Sequence, residues 1–189
     1  MPEEDFLAQL VTWAQQNALV RAMIMTSNRG GADGAIDALT DYDVILYVTD
    51  IAPFTGSEAW LWDFGNVLLR TTLEKQMDSG MAEYYRGVFY DDGTKVDFTV
   101  GPTAVLPFIS AQPKLPAELD LGYRVLLDKD GLTAGLQPPM RAAYIPAKPS
   151  AGEFRQLIED FWWDATYVAN ALITTRPGCC WIPNCASSC

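Results

Sequence analysis

The chain has 189 residues, 49% of them hydrophobic, which is enough for one domain with a real core. Its formal charge is -11, from 13 basic and 24 acidic side chains, which argues against nucleic-acid binding through a basic surface and favours cationic partners. Histidine is absent, so histidine triads, histidine bases and histidine metal sites are excluded, and acid–base or metal work falls to Asp, Glu, Lys, Tyr or Cys.

The chain opens MPEEDF, which lacks the basic and then apolar pattern of a secretory signal, and no apolar run is long enough to cross a bilayer. The expected location is the cytoplasm, with no membrane partner. Phe6, Leu10 and Trp13 recur at helical spacing, joined by Leu7, Val11 and Ala14, and predict a helix over Glu3 to Gln16. Pro2 and the acidic first turn suit its start. Leu19 to Met25 is a short, nearly all-apolar run that reads as a buried strand, with Arg21 its one oddity. A glycine-rich loop follows, and Asp43 to Val48 forms the second strand.

Trp60 to Arg70 begins as a helix, and Asn66 to Thr71 fits a strand as well, which periodicity leaves open. Tyr85 to Tyr90 and Lys95 to Val100 flank Asp91-Asp92-Gly93-Thr94, a hairpin signal built on an Asp-Gly turn. Arg124 to Leu127 reads as another strand, closed by Asp128-Lys129-Asp130-Gly131. Residues 132 to 150, with Pro138, Pro139, Pro146 and Pro149, read as a linker. Ser150 and Glu153 make a capping box, and Phe154, Leu157, Ile158, Phe161, Trp162 and Ala165 continue it as an amphipathic helix toward Ile173.

The expected organisation is an α+β domain over residues 1 to 149, a helical segment over 150 to 176, and an irregular tail over 177 to 189. The tail, PGCCWIPNCASSC, carries Cys179, Cys180, Cys185 and Cys189 and no charge. Their spacing matches no common zinc pattern, and the expectation is a loosely ordered ending left by a truncation or a shifted reading frame.

The chemistry centres on carboxylates. Side chains two apart on a strand point the same way, so Asp41 and Asp43 share one face at a strand entrance. A third, Asp97, lies within the apolar strand Lys95 to Val100, where an unpartnered carboxylate is costly. If the two strands are neighbours, three carboxylates converge, and such a cluster can hold two magnesium ions about 3.5–4 Å apart for in-line phosphoryl or nucleotidyl transfer. The alternative is a turn pair at Asp41 and Asp43 and a solvent-facing Asp97. The third aspartate, the preceding Ser-Asn-Arg loop and the absent histidine favour the metal reading. In that loop, Thr26 to Gly31, small residues let backbone N–H groups approach phosphate oxygens and Arg29 can neutralise their charge, although no Walker or dinucleotide fingerprint is present.

These segments together look like the nucleotidyltransferase superfamily. More narrowly, VRAMIMTSNR, DYDVILYV, WLWDFG, KVDFTV, VLLDKDGL and FWWDATYVANAL resemble the bacterial aminoglycoside 6-adenylyltransferases, in the family's order and across most of residues 1 to 175. The resemblance implies a mixed β-sheet flanked by helices, and transfer of AMP from ATP, with magnesium, to a hydroxyl of an aminoglycoside such as streptomycin. It implies that Asp41 and Asp43 ligate metal and that Asp97 is the third carboxylate, binding metal or accepting the hydroxyl proton. Ser27, Asn28 and Arg29 match the loop that holds the triphosphate, with Ser27 at the family's glycine place and Asn28 at its serine place. Asp160, just before Phe161-Trp162-Trp163, matches an acidic residue that would face the antibiotic. Relatives carry a longer helical domain, so activity here is expected to be impaired. Two other outcomes stay open. One is a nucleotidyltransferase with a different acceptor, a protein side chain or a tRNA end, and the net charge argues against the RNA. The other is a truncated product that binds nucleotide without catalysis.

Overall fold

The computed structural model describes residues 3–31, 40–76, 81–142 and 148–174, which fall into two units, Met1–Ile145 and Pro146–Cys189. The cysteine-bearing tail lies outside the described residues. In the first unit α1 (Glu3–Gln16) leads into β1 (Val20–Met25), a one-turn helix α2 (Ser27–Gly30) and β2 (Tyr42–Val48). Then come α3 (Ala52–Gly56), a 3-10 helix (Ala59–Phe64), β3 (Val67–Gln76), β4 (Ala82–Tyr90) and β5 (Lys95–Pro102). The unit continues with α4 (Val105–Ser110), α5 (Ala117–Asp120) and β6 (Arg124–Asp128).

The six strands form one mixed sheet in the order β3-β4-β5-β2-β1-β6. Every neighbouring pair is antiparallel except β2 and β5, which run parallel, Tyr42 beside Val96 and Val48 beside Pro102. Both central strands therefore enter the sheet from the same end. The alternation of their side chains makes two cores. On one face Met23, Val44, Leu46, Val96, Phe98 and Val100 are buried with Phe6 and Leu10 of α1 and with Leu61 and Phe64. Phe98 lies 5.1 Å from the Trp60 ring and 5.4 Å from the Phe64 ring, centroid to centroid, so this layer is held by aromatic packing as well as area. On the other face Ala22, Ile24, Ile45 and Tyr47 are covered by Val105, Leu106 and Ile109 of α4 and Leu119 of α5.

The local chemistry explains several features. Arg21, charged within an apolar strand, donates to the Asp130 carboxylate through Nε and Nη2, its Nε 2.6 Å from Oδ2. Lys129 donates to the carbonyls of Ala14 (2.8 Å), Gln15 (3.1 Å) and Asn17 (2.8 Å), a cation at the end of α1 where orphan carbonyls gather. The Asp128 carboxylate accepts from the Thr133 backbone N–H (2.8 Å) and hydroxyl (2.7 Å), closing the turn after β6. Leu132 and Leu136 pack against the second core, so the segment read as a linker begins as part of the first unit. The open choice over 60–71 resolves into both elements in turn, the 3-10 helix to Phe64 and a strand from Val67.

The second unit contains α6 (Ala151–Thr174). Its capping box forms as the sequence predicts: Ser150 N–H donates to Glu153 Oε2 at 2.8 Å, and Glu153 N–H donates to Ser150 Oγ at 3.3 Å. No helix among the described residues is long and apolar enough to cross a membrane.

Candidate active site

The parallel pairing of β2 and β5 sets the site. Asp43 stands directly beside Asp97 in register, and paired residues of adjacent strands project from the same face. Tyr42 and Val44, flanking Asp43, are buried in the first core, as are Val96 and Phe98 around Asp97, so both carboxylates project from the opposite face. Asp41, two residues before Asp43, lies on that face at the strand entrance. The sequence thus brings three acidic side chains from two distant segments to one end of one sheet face.

Their environment is uneven. Burial pushes the Asp43 carboxyl above the usual carboxylate range; a hydrogen bond from the Ser27 hydroxyl pulls it back, the carboxylates of Asp41 and Asp97 raise it further, and Lys95 opposes them. Asp97 Oδ1 is buried and takes no hydrogen bond of normal geometry among the described residues. Tyr85 of β4 lies on the same face; its hydroxyl is pushed up to about 12, first by burial and then by the Asp97 carboxylate beside it. Lys95, two residues before Asp97, completes the group: its Nζ is 2.5 Å from Asp41 Oδ2 and 3.2 Å from Asp97 Oδ2. Lys95 and Tyr85 are the residues that sequence reasoning missed. The same period-two argument that pairs Asp41 with Asp43 places Lys95 on the face of Asp97.

Among the described residues, no three acidic or thiol side chains already stand around a common ion position. The Lys95 ammonium lies among them instead. The donors themselves are hard carboxylate oxygens, one of them a buried oxygen lacking a normal hydrogen bond, a set that chemically suits magnesium rather than zinc.

The loop after β1 is tighter than an open glycine-rich loop. Thr26 N–H donates to Asp43 O at 2.9 Å, and residues 27–30 form the single turn of α2. Ser27 has φ of 56°, in the left-handed region that favours glycine. That is the position where the resemblance puts glycine. The Asn28 side chain lies outside the described residues. Arg29 is buried: Nε donates to Thr40 O and Asp41 O, each at 3.1 Å, Nη2 donates to Thr40 O at 2.8 Å, and the guanidinium carbon lies 4.1 Å from the Tyr42 ring centroid. These contacts brace the segment that carries Asp41. Gly30 is required for this approach, since a Cβ there would meet Met25 O at 2.4 Å.

Two cavities lie on either side of the aspartates in strand order. One, of about 380 Å³, is lined by Arg29, Gly30, Gly31, Gly122, Arg124 and Arg141, among others, between α2 and the start of β6. The other, of about 210 Å³, is lined by Leu73, Glu83, Tyr85, Thr99 and Glu118. The first gathers cationic side chains and the second anionic ones. Asp160 belongs to the second unit; on α6 it accepts a hydrogen bond from Gln156 Nε2 at 2.8 Å.

The sequence matches the family described as streptomycin adenylyltransferase over residues 1–177. It is 27% identical over 176 residues to an aminoglycoside 6-adenylyltransferase of Bacillus subtilis (strain 168), covering 90% of this chain and 59% of that protein. It is 28% identical over 176 residues to an aminoglycoside 6-adenylyltransferase of Staphylococcus aureus, again covering 90% and 59%. One of Campylobacter jejuni is 26% identical over 175 residues, covering 90% of this chain and 57% of that protein. The crystal structure of an aminoglycoside 6-adenyltransferase from Bacillus subtilis shares the fold, with a TM-score of 0.50 at 20% identity over 93% of this chain and 58% of that one. The chain thus spans about three-fifths of the length of these relatives.

Proposed function

This chain belongs to the streptomycin adenylyltransferase family, and on that premise we propose that it binds ATP with magnesium and transfers AMP to a hydroxyl of an aminoglycoside such as streptomycin. The observation that carries the proposal is the register of β2 against β5, which sets Asp43 beside Asp97 with Asp41 on the same face. Such a grouping of carboxylates has no use in packing, because like charges on one face repel.

Asp41, Asp43 and Asp97 are the residues that would hold magnesium. When bound, magnesium supplies the positive charge that steadies the α-phosphate and the departing pyrophosphate. Ser27, Asn28 and Arg29 hold the triphosphate at the turn after β1, with Arg29 adding its charge from within while it braces Thr40 and Asp41. The arginine-lined cavity continues from that turn and suits the polyanionic end of the nucleotide. The acceptor hydroxyl oxygen forms the new bond to the α-phosphorus as the bond to the pyrophosphate oxygen breaks. Its proton passes to Asp97, whose buried Oδ1 has acceptor capacity left over. The cavity that contains Glu83 and Glu118 suits a cationic acceptor. The family resemblance assigns Asp160, on α6 of the second unit, a carboxylate role toward a guanidinium or ammonium group of the aminoglycoside.

The test is pyrophosphate release by the full chain with ATP, magnesium and streptomycin. Release that depends on streptomycin and disappears in Asp41→Ala supports the proposal. Folded protein that releases none overturns the transfer. ATP–magnesium binding by calorimetry, without release, would then assign the chain to nucleotide binding alone.

A further inference from the structure

We propose that Lys95 is a built-in rival of the metal: its ammonium bridges Asp41 and Asp97 until a divalent cation displaces it, and it then moves onto the phosphates of the nucleotide. The inference rests on the metal-binding reading above and adds a residue that the carboxylate pattern does not contain.

The geometry comes first. Lys95 and Asp97 are two apart on β5 and share the face on which Asp41 and Asp43 stand. The Lys95 Nζ reaches a carboxylate oxygen of two of the three aspartates, at 2.5 Å and 3.2 Å. Among the described residues, no other lysine or arginine forms an ion pair with these three carboxylates. The ammonium therefore offsets a repulsion that the fold creates when it aligns β2 with β5.

Electrostatics then makes the two cations exclusive. A divalent ion on the same oxygens would stand within about 4–5 Å of the ammonium, where a double and a single positive charge repel strongly even at the screening typical of a protein surface. One must leave. The Lys95 side chain is 46% exposed, and a compact charge on a flexible four-carbon stem can swing without disturbing the sheet. A polyphosphate bound next to these carboxylates is the nearest new anion, and lysine binds phosphate as a point charge. Lys95 is thus a positioning residue for the carboxylates and, after displacement, a phosphate ligand.

The test uses the full chain and two substitutions of opposite sign. Mn²⁺ binding, read from the loss of the free-ion electron paramagnetic resonance signal, is measured without nucleotide. Lys95→Met removes the rival while keeping the stem, and should bind Mn²⁺ about tenfold more tightly than the parent. Lys95→Arg keeps the charge and adds a planar fork that grips carboxylates better, and should bind Mn²⁺ more weakly than the parent. A merely structural role for Lys95 would weaken Mn²⁺ binding in both. Calorimetry with magnesium and the non-cleavable α,β-methylene analogue of ATP reads the second half: Lys95→Met should bind the analogue about tenfold more weakly. Equal Mn²⁺ affinity in parent and Lys95→Met overturns the rivalry and leaves the metal site standing. Tighter Mn²⁺ binding with unchanged analogue binding overturns only the transfer of Lys95 to phosphate. No Mn²⁺ binding by any of the three proteins overturns the rivalry together with the metal reading.

Discussion

Strands β2 and β5 present two unlike surfaces. On one face Tyr42, Val44, Leu46, Val96, Phe98 and Val100 are buried under α1 and the aromatic layer of Trp60 and Phe64. On the other, at the end where both strands begin, stand Asp41, Asp43, Asp97 and Lys95. The same backbone and register serve both. The apolar face gains free energy from every residue it buries, whereas the charged face gathers groups whose mutual repulsion and partial burial oppose folding. A rigid parallel pair, fixed by one face, is what allows the other face to hold carboxylates in an unfavourable arrangement. Functional sites commonly carry such a cost.

The contrast can be broken most strongly from the apolar side. Phe98→Ala removes a fully buried ring between two aromatic partners and should cost about 3–5 kcal/mol in chemical denaturation. A cost below about 1 kcal/mol would mean that the aromatic layer does not anchor the strands. A smaller effect is expected at the turn behind the site. Ser27 holds φ of 56°, so Ser27→Ala keeps the strained backbone and loses the hydroxyl contact to Asp43, while Ser27→Gly relieves the strain. The glycine variant should be the more stable of the two by about 1 kcal/mol, measured by urea unfolding.

The smallest effect sharpens the charged side. Because the fold raises the Asp43 carboxyl, its ionisation opposes folding. That cost is absent below the unfolded value of about 3.9, grows as pH rises through it, and is complete above the raised folded value. In metal-free buffer at neutral pH, Asp43→Asn should therefore melt at a higher temperature than the parent, and the gain should vanish as pH falls toward the unfolded value. A variant that melts lower at neutral pH would show that Asp43 is satisfied rather than opposed by its surroundings.

Much of this arrangement is legible in the residues and some is not. The helix over Glu3 to Gln16, the strands around Asp43 and Asp97, the Asp-Gly hairpin and the capping box at Ser150 all follow from periodicity and turn chemistry. The short helices α3, α4 and α5 escape because five, six or four residues make too few turns for a period to register. β3 is ambiguous because it lies at the edge of the sheet and leaves Leu68, Leu69 and Leu73 exposed, so burial imposes no alternation on it. The pairing of β2 with β5 joins strands about fifty residues apart, and no local pattern encodes it. Arg29 has the residue type for phosphate, but spacing alone does not reveal that its donors reach the carbonyls of Thr40 and Asp41.

The proposed activity requires the aspartates at 41, 43 and 97 jointly to hold a divalent cation beside a nucleotide. Crystals of the full chain grown with Mn²⁺ and the α,β-methylene analogue of ATP, with data collected at the manganese absorption edge, address it directly. An anomalous peak is expected within about 2.5 Å of oxygens from all three carboxylates and in contact with the phosphates. Ordered analogue with no such peak, or a peak that leaves out the residue at 97, would contradict it.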